Sequence, residues 1–313
     1  VVRLIISADG ADQFESWKKA FLEVSPDLDV CSWYEASVKP GEADYALVWT
    51  PEEDHFEQLS FVKGILCVGA GVDHLLRTPQ FPRHVPLVRM GGAQTAELMA
   101  DYITWAAIGL LRDARTWAVQ QAGHIWSYNG VARTSGETRI GVMGLGHLGS
   151  HVAAHLGRIG FQVSGWRRST GLLAGVDVFS GKAALPDFLK KSDILVNLLP
   201  STVETRGLIT YPFLSALPQG AGFINVGRGD HVVQADLVRA LDEGMISGAV
   251  LDVVTPDPLP PTSSLWSHPR ITVTPHVASV ASRNMQARYV AETIAQMERG
   301  EQPPLLYDPE KGY

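Results

Sequence analysis

Three segments of the chain end in residues able to handle an anion and a proton. Gly222-Phe223-Ile224-Asn225-Val226-Gly227-Arg228-Gly229 is an apolar run that stops at an arginine between two glycines. Leu251-Asp252-Val253-Val254-Thr255-Pro256-Asp257-Pro258-Leu259-Pro260 stops in a proline-framed acidic loop, and Thr274-Pro275-His276-Val277-Ala278-Ser279 stops at a histidine that follows a proline. A guanidinium can clamp a carboxylate and polarise a neighbouring carbonyl. A histidine can deliver a proton near neutral pH, and a carboxylate beside it orients the ring and favours its charged form. Arg228, Asp257 and His276 together suit the reduction of a 2-keto acid, in which the ketone takes a hydride on carbon and a proton on oxygen. Each alone has a plainer reading: an arginine paired to a surface acid, an aspartate forming a turn, a histidine capping a core.

A second constellation supplies a place for a hydride donor. Gly144-Leu145-Gly146-His147-Leu148-Gly149 matches G-x-G-x-x-G, follows the apolar run Ile140-Gly141-Val142-Met143 and opens a helical segment. In that context the glycines permit close backbone approach to a pyrophosphate, and free N–H groups at the helix start hold its charge. Gly144, Leu145, Gly146, His147 and Leu148 are the expected contacts; a purely structural turn is the alternative. The next strand ends Trp166-Arg167-Arg168-Ser169, where an NAD enzyme usually carries an acid for the ribose hydroxyls, about 20 residues on. No acid stands there. Two guanidinium groups would suit a 2′-phosphate, so NADP(H) is the expected cofactor and NAD(H) the alternative. The plainer reading is a pair of solvated arginines on a surface turn.

The elements that must position these residues follow an α/β pattern. Short apolar runs alternate with helix-length amphipathic segments, which predicts parallel sheets with helical crossovers. Strands are expected over 2–7, 28–33, 45–49, 64–68 and 85–89, then over 139–143, 161–166, 176–179, 193–198, 222–226, 248–253 and 271–274. Helices are expected over 95–112, 147–159 and 234–242. In such sheets the carboxyl ends of the strands border the ligand crevice, so the three chemical segments can converge there. Gly91-Gly92 is a candidate hinge before the long helix, and the tail 302–313, with three prolines, is expected to be exposed or strap-like.

Bulk properties narrow the class. A length of 313 residues suits about two domains, and 45% hydrophobic against 19% charged residues is the balance of a globular enzyme. A net charge of -7 argues against a nucleic-acid or anionic-membrane partner. No apolar run reaches the roughly 18 residues of a membrane span, and the first residues lack a signal-peptide pattern, so a cytoplasmic location is expected. Cys31 and Cys67 sit in dissimilar settings, so neither a disulfide framework nor a metal site is expected.

On these motifs the chain resembles the D-isomer-specific 2-hydroxyacid dehydrogenase family, and within it the glyoxylate/hydroxypyruvate reductase A branch. The resemblance runs through nearly the whole chain and includes Leu198-Leu199-Pro200-Ser201-Thr202 with Glu204-Thr205-Arg206-Gly207. It implies Arg228 as substrate anchor, Asp257 as histidine partner and His276 as proton donor. Asp257 departs from the family, which usually has a glutamate there, one methylene longer. The resemblance also implies cofactor contacts at Leu199, Pro200, Ser201, Thr205, Val226, Gly227, Arg228 and His276. Cys67-Val68-Gly69-Ala70-Gly71-Val72-Asp73 resembles the loop whose backbone amides hold the substrate carboxylate, through Val68, Gly69 and Ala70. Trp49 has two readings, an aromatic pocket wall or a packing residue. Asp252 also has two, a holder of the nicotinamide amide or a clamp on local backbone.

The fold expected is α/β, with two Rossmann-like or flavodoxin-like parallel-sheet domains. Residues 1–93 and 279–313 would form a discontinuous substrate domain, and 94–278 a dinucleotide-binding domain inserted into it. The expected activity is NADPH-dependent reduction of glyoxylate and hydroxypyruvate to D-2-hydroxy acids. The rivals are a dehydrogenase for bulkier 2-keto acids and a nucleotide-sensing, dehydrogenase-like interaction protein. Phosphoglycerate dehydrogenases with a C-terminal regulatory module are disfavoured, since little sequence follows the catalytic segments. A homodimer is implied by the family, with the apolar stretch 95–128, carrying Tyr102, Trp105, Trp117 and Trp126, as its arm; burial within one chain is the other reading of that stretch.

Overall fold

The computed structural model describes residues 1–34, 39, 41–52, 55–128, 130 and 133–312. It divides into two compact units, Val1–Thr95 with Ala281–Tyr313, and Ala96–Val280. In the first, β1 (Arg3–Ser7), β2 (Asp29–Ser32), β3 (Tyr45–Val48), β4 (Gly64–Cys67) and β5 (Leu87–Val88) form a sheet in the order β2-β1-β3-β4-β5. All its pairings are parallel. Side chains alternate across it as a two-residue period requires: Leu4, Ile6 and Leu47 enter one apolar cluster, and Ile5, Ala46 and Val48 the other. Both faces are covered, which is why the inner strands β3 and β4 read as unbroken apolar runs. The helix Phe14–Val24 buries Phe14, Trp17, Ala20 and Phe21, a single stripe of the 3.6-residue period.

Strand β5 is shorter than the expected 85–89. Pro86 has no N–H to give a ladder, although its carbonyl accepts from Ile65 N at 2.8 Å. The other edge of β5 is closed by the tail: Arg89 N donates to Leu305 O (3.0 Å) and Tyr307 N to Leu87 O (2.8 Å), around an antiparallel bridge between Val88 and Leu306. The tail is thus a strap that satisfies edge groups otherwise open to strand addition. Its last residue, Tyr313, lies outside the described residues.

The second unit holds β6 (Arg139–Met143), β7 (Gln162–Arg167), β8 (Asp177–Ser180), β9 (Ile194–Asn197), β10 (Ala221–Asn225), β11 (Ile246–Leu251) and β12 (Ile271–Val273). They form one parallel sheet in the order β12-β11-β10-β9-β6-β7-β8. The strand order reverses between β6 and β9, and ligands of open α/β sheets bind at the carboxyl end of such a switch point. Val142 and Ile224 enter the apolar cluster on one face, Met143 and Phe223 that on the other. The helix Ala93–Leu111 buries Met99, Ala100, Ile103, Ala106 and Ala107 against the first of these clusters. Its outer face and the segment after it keep Trp105, Ile108, Trp117, Val119, Ile125, Trp126 and Tyr128 exposed, while Tyr102 is half-buried. Among the described residues no helix is long and apolar enough to cross a membrane.

At the amino end of this sheet, Asp193 ties β6 to β9. Its carboxylate, 5% exposed, accepts from Arg139 Nη2 (2.7 Å), Nε (3.0 Å) and backbone N (3.0 Å), and pairs with Arg133 at 3.0 Å. Burial pushes its pKa up, but the hydrogen bonds and charge of the two arginines outweigh burial and hold it down at about 2. The folded value lies below the unfolded one, so this carboxylate contributes on the order of 2 kcal/mol above about pH 4. That contribution is lost as pH falls through about 2. Asp193→Asn is expected to lower the urea midpoint at pH 7 and to converge with the parent protein by about pH 2. A gap that stays constant across that range would remove the carboxylate charge from the account.

Candidate active site

At the switch point β6 ends and Gly144 turns the chain with φ +99; a Cβ there would stand 2.7 Å from Leu198 O. A Cβ on Gly149 would lie 1.9 Å from Gly144 O, so only glycine lets the helix His147–Arg158 start this close behind the strand. Gly146 is the N-cap of that helix and has nothing within 4 Å of a Cβ position. Open space therefore adjoins a helix start that no side chain of its N-cap covers, and these residues fit a pyrophosphate. Strand β7 then carries Trp166 and Arg167; the Trp166 indole donates to Gly181 O at 2.9 Å, and its carbonyl accepts from Gly144 N at 2.8 Å. The Arg167 guanidinium lies over the turn that follows, 3.4 Å from Ser169 Oγ, and Arg168 and Ser169 are exposed beside it. Glu204 reports the local field. Its carboxyl is held below the usual range by a Thr202 hydrogen bond first, then by its own backbone, with Arg168 and Lys182 adding their charge.

The loops after β9 and β10 are joined by a buried polar web. Asn197 and Asn225 close adjacent strands in register, and Asn197 Nδ2 donates to Asn225 Oδ1 and to His231 Nδ1, both at 2.9 Å. His231 is fully buried and accepts at Nδ1, which places its proton on Nε2, 3.9 Å from Asp230 Oδ1. Asp230 in turn accepts from Ser201 Oγ at 3.3 Å, and Thr205 Oγ1 donates to Pro200 O at 2.7 Å. Leu199 N donates to Asn197 Oδ1 at 3.3 Å. On the other side, Asn225 Nδ2 donates to Arg228 O at 3.0 Å, and Gly227 N donates to Asn225 Oδ1 at 3.3 Å. Arg228 sits between two hemmed-in glycines: a Cβ on Gly227 would be 3.0 Å from Leu199 O, and one on Gly229 would be 2.0 Å from Val254 O. The arginine loop is thereby packed directly on the loop that leads to Asp257.

Asp257 and His276, 19 residues apart, meet with Nδ1 and Oδ2 at 2.8 Å. The shorter acid reaches the ring, so the missing methylene leaves no gap. Both side chains stay about two-fifths exposed, at 42% and 40%. His276 has φ 56, a left-handed backbone rare for a residue with a Cβ. Asp252, only 3% exposed, grips that turn: Oδ1 accepts from Thr274 Oγ1 (2.7 Å) and Val277 N (2.9 Å), and Oδ2 from Ala278 N (2.9 Å).

In the other unit, Trp49 follows β3 at the reversal of strand order between β1 and β3. Its ring packs on Gly69, where a Cβ would lie 2.3 Å from it, and its carbonyl contacts His74 Nε2 at 2.6 Å. Val68 N donates to Val48 O at 2.9 Å, Gly69 N to Cys67 Sγ at 3.4 Å, and Ala70 follows in a half-buried bend.

Residues 104–278 match the family model for the D-isomer specific 2-hydroxyacid dehydrogenase NAD binding domain. The whole chain is similar to a D-isomer specific 2-hydroxyacid dehydrogenase from Xanthobacter autotrophicus Py2, solved with NADPH and MES. Identity is 39%, coverage 100% of this chain and 99% of that one, and the TM-score 0.92. This chain belongs to the D-isomer specific 2-hydroxyacid dehydrogenase family. It is also similar to the NADPH-dependent glyoxylate/hydroxypyruvate reductase of Sinorhizobium meliloti, solved with NADP and sulfate, at 32% identity, full coverage of both chains and TM-score 0.91. A family protein from Klebsiella pneumoniae 342 gives 35% identity, coverage of 98% and 97%, and TM-score 0.87.

Several residues that shape the site of this dehydrogenase take no role from the sequence. Asn197, Asn225 and His231 form the web behind Arg228, Tyr102 and Thr274 stand behind Asp252, and Lys182 joins Arg168 in the field at Glu204. Only the asparagines left a signal: two apolar strands that each end on the same polar residue. The other partners lie far apart in sequence, Tyr102 and Thr274 by 172 positions.

Proposed function

We propose that this dehydrogenase reduces small 2-keto acids, foremost glyoxylate and hydroxypyruvate, to D-2-hydroxy acids with NADPH. The observation that carries the reading is the 2.8 Å Asp257–His276 pair in a unit that also packs the Arg228 loop against the acid loop. Similarity to the Sinorhizobium meliloti reductase supports the substrate class. The unit Ala96–Val280 takes the dinucleotide and Val1–Thr95 with Ala281–Tyr313 the substrate-domain role. NADPH supplies the hydride to the keto carbon. Arg228 clamps the substrate carboxylate and polarises the ketone; the Val68 amide, which the resemblance would give to that carboxylate, is spent on Val48 O at 2.9 Å. His276 gives its proton to the ketone oxygen, and Asp257 orients the ring and stabilises its charged form. The dinucleotide contacts are Gly144 to Leu148 at the pyrophosphate, Trp166 to Ser169 at the adenosine end, and Leu199, Pro200, Ser201, Thr205, Val226 and Gly227 along the loops. The exposed aromatic face of Trp105, Trp117, Trp126 and Tyr128 supports a homodimer, since a twin subunit would cover it.

Cofactor choice is tested by replacing Arg167 and Arg168 together with alanine. Loss of charge-assisted bonds to the 2′-phosphate is expected to weaken NADPH by about tenfold or more and NADH by less than about threefold. Equal losses for both cofactors would refute the assignment of the arginines.

A further inference from the structure

We propose that Tyr102, acting through Thr274 and the buried carboxylate of Asp252, is a positioning residue that holds His276 in its left-handed turn. The inference rests on the reading of His276 as proton donor and adds what keeps that donor in place. A left-handed backbone at a non-glycine residue persists only where its surroundings over-determine it. Here the surroundings are specific. His276 N donates to Asp252 O (3.0 Å) and Thr274 O (3.1 Å), while the Asp252 side chain binds Thr274 before the histidine and Val277 and Ala278 after it.

The direction of the relay follows from donor counting. A carboxylate only accepts, so Thr274 must spend its single hydroxyl proton on Asp252 Oδ1. The 2.6 Å contact between Tyr102 Oη and Thr274 Oγ1 then has one arrangement, with the phenol as donor. Tyrosine O–H, threonine O–H and carboxylate point the same way, and each bond polarises the next. Burial raises the Tyr102 pKa and the Asp252 charge raises it further, against a lowering by Thr274, so the phenol keeps the proton the relay needs. Tyr102 itself is fixed on the helix Ala93–Leu111, with its ring 5.3 Å from that of Trp105. A rigid helix is therefore braced, through two hydroxyls, against the turn that carries the proton donor.

The test uses Tyr102→Phe, Thr274→Val, Thr274→Ser, the Tyr102→Phe/Thr274→Val double variant and His276→Gln in the full chain. Hydroxypyruvate turnover is read at saturating NADPH, with NADPH affinity by fluorescence. Thr274→Val is expected to lower kcat about tenfold and Tyr102→Phe about threefold, with KM and NADPH affinity within about twofold. Thr274→Ser, which keeps the hydroxyl, is expected to recover kcat to within about threefold of the parent. The double variant should be no worse than Thr274→Val alone, because the phenol acts through the threonine. In the cofactor-free protein, amide exchange at Val277 and Ala278 should speed up about fivefold in Thr274→Val. Additive losses in the double variant, or unchanged kcat in Thr274→Val while His276→Gln is inactive, would overturn the positioning role and leave His276 as donor. Turnover by His276→Gln at the parent rate would overturn the donor reading and the relay with it.

Discussion

Arg228→Lys is expected to lower kcat/KM for glyoxylate by about 10²–10³-fold, the loss typical when one donor to a developing oxyanion is removed. Lysine keeps the charge but presents a point ammonium in place of a planar fork, so it cannot hold a carboxylate in two parallel bonds and polarise the ketone as well. The surrounding backbone leaves little room for adjustment. Gly227 and Gly229 are pressed against Leu199 and Val254, and the Arg228 carbonyl is held by Asn225. NADPH titrated by fluorescence should bind within about threefold of the parent, since the Arg228 guanidinium is assigned to the substrate and any dinucleotide contact of its loop is made by backbone that lysine keeps. Glyoxylate turnover near the parent level would take Arg228 out of the mechanism.

His276→Gln carries the other large effect, a fall in kcat of about 10²–10⁴-fold, the usual worth of a positioned general acid. Glutamine can still donate a hydrogen bond to the ketone but has no proton to give up. Asp257→Asn should be milder, on the order of tenfold, because the amide still reaches the ring while its charge is gone. The two variants thus separate proton delivery from the support of that delivery. The order of the losses matters: an Asp257→Asn defect as deep as that of His276→Gln would mean that the imidazole delivers no proton without the carboxylate's charge, against the supporting role given to Asp257.

Much of this architecture was legible because it rests on local rules. The apolar runs with their interrupting helices read as parallel α/β structure, and both sheets are parallel with both faces covered. Boundaries slipped where a single residue overrode the run, as Pro86 did in β5. The strap was visible only as a proline-rich tail; its pairing with β5 depends on residues more than 200 positions away. Residue types at strand ends suggested Arg228, Asp257 and His276, whereas the 2.8 Å approach and the left-handed φ of His276 belong to the folded turn alone. Asp252 admits two readings in sequence; in the fold its oxygens accept from the Thr274 hydroxyl and from the Val277 and Ala278 amides, contacts that join positions 22 to 26 residues apart. Tyr102 read as part of an apolar arm, because nothing in its neighbourhood points to Thr274.

The activity itself is tested most directly by NADPH oxidation with the purified protein across glyoxylate, hydroxypyruvate, pyruvate and phenylpyruvate, with the chirality of the glycerate formed from hydroxypyruvate determined in the same reactions. The expected result is kcat/KM for glyoxylate and hydroxypyruvate at least about tenfold above that for phenylpyruvate, and D-glycerate as product. Preference for phenylpyruvate, formation of L-glycerate, or no NADPH oxidation with any of the four acids would contradict it.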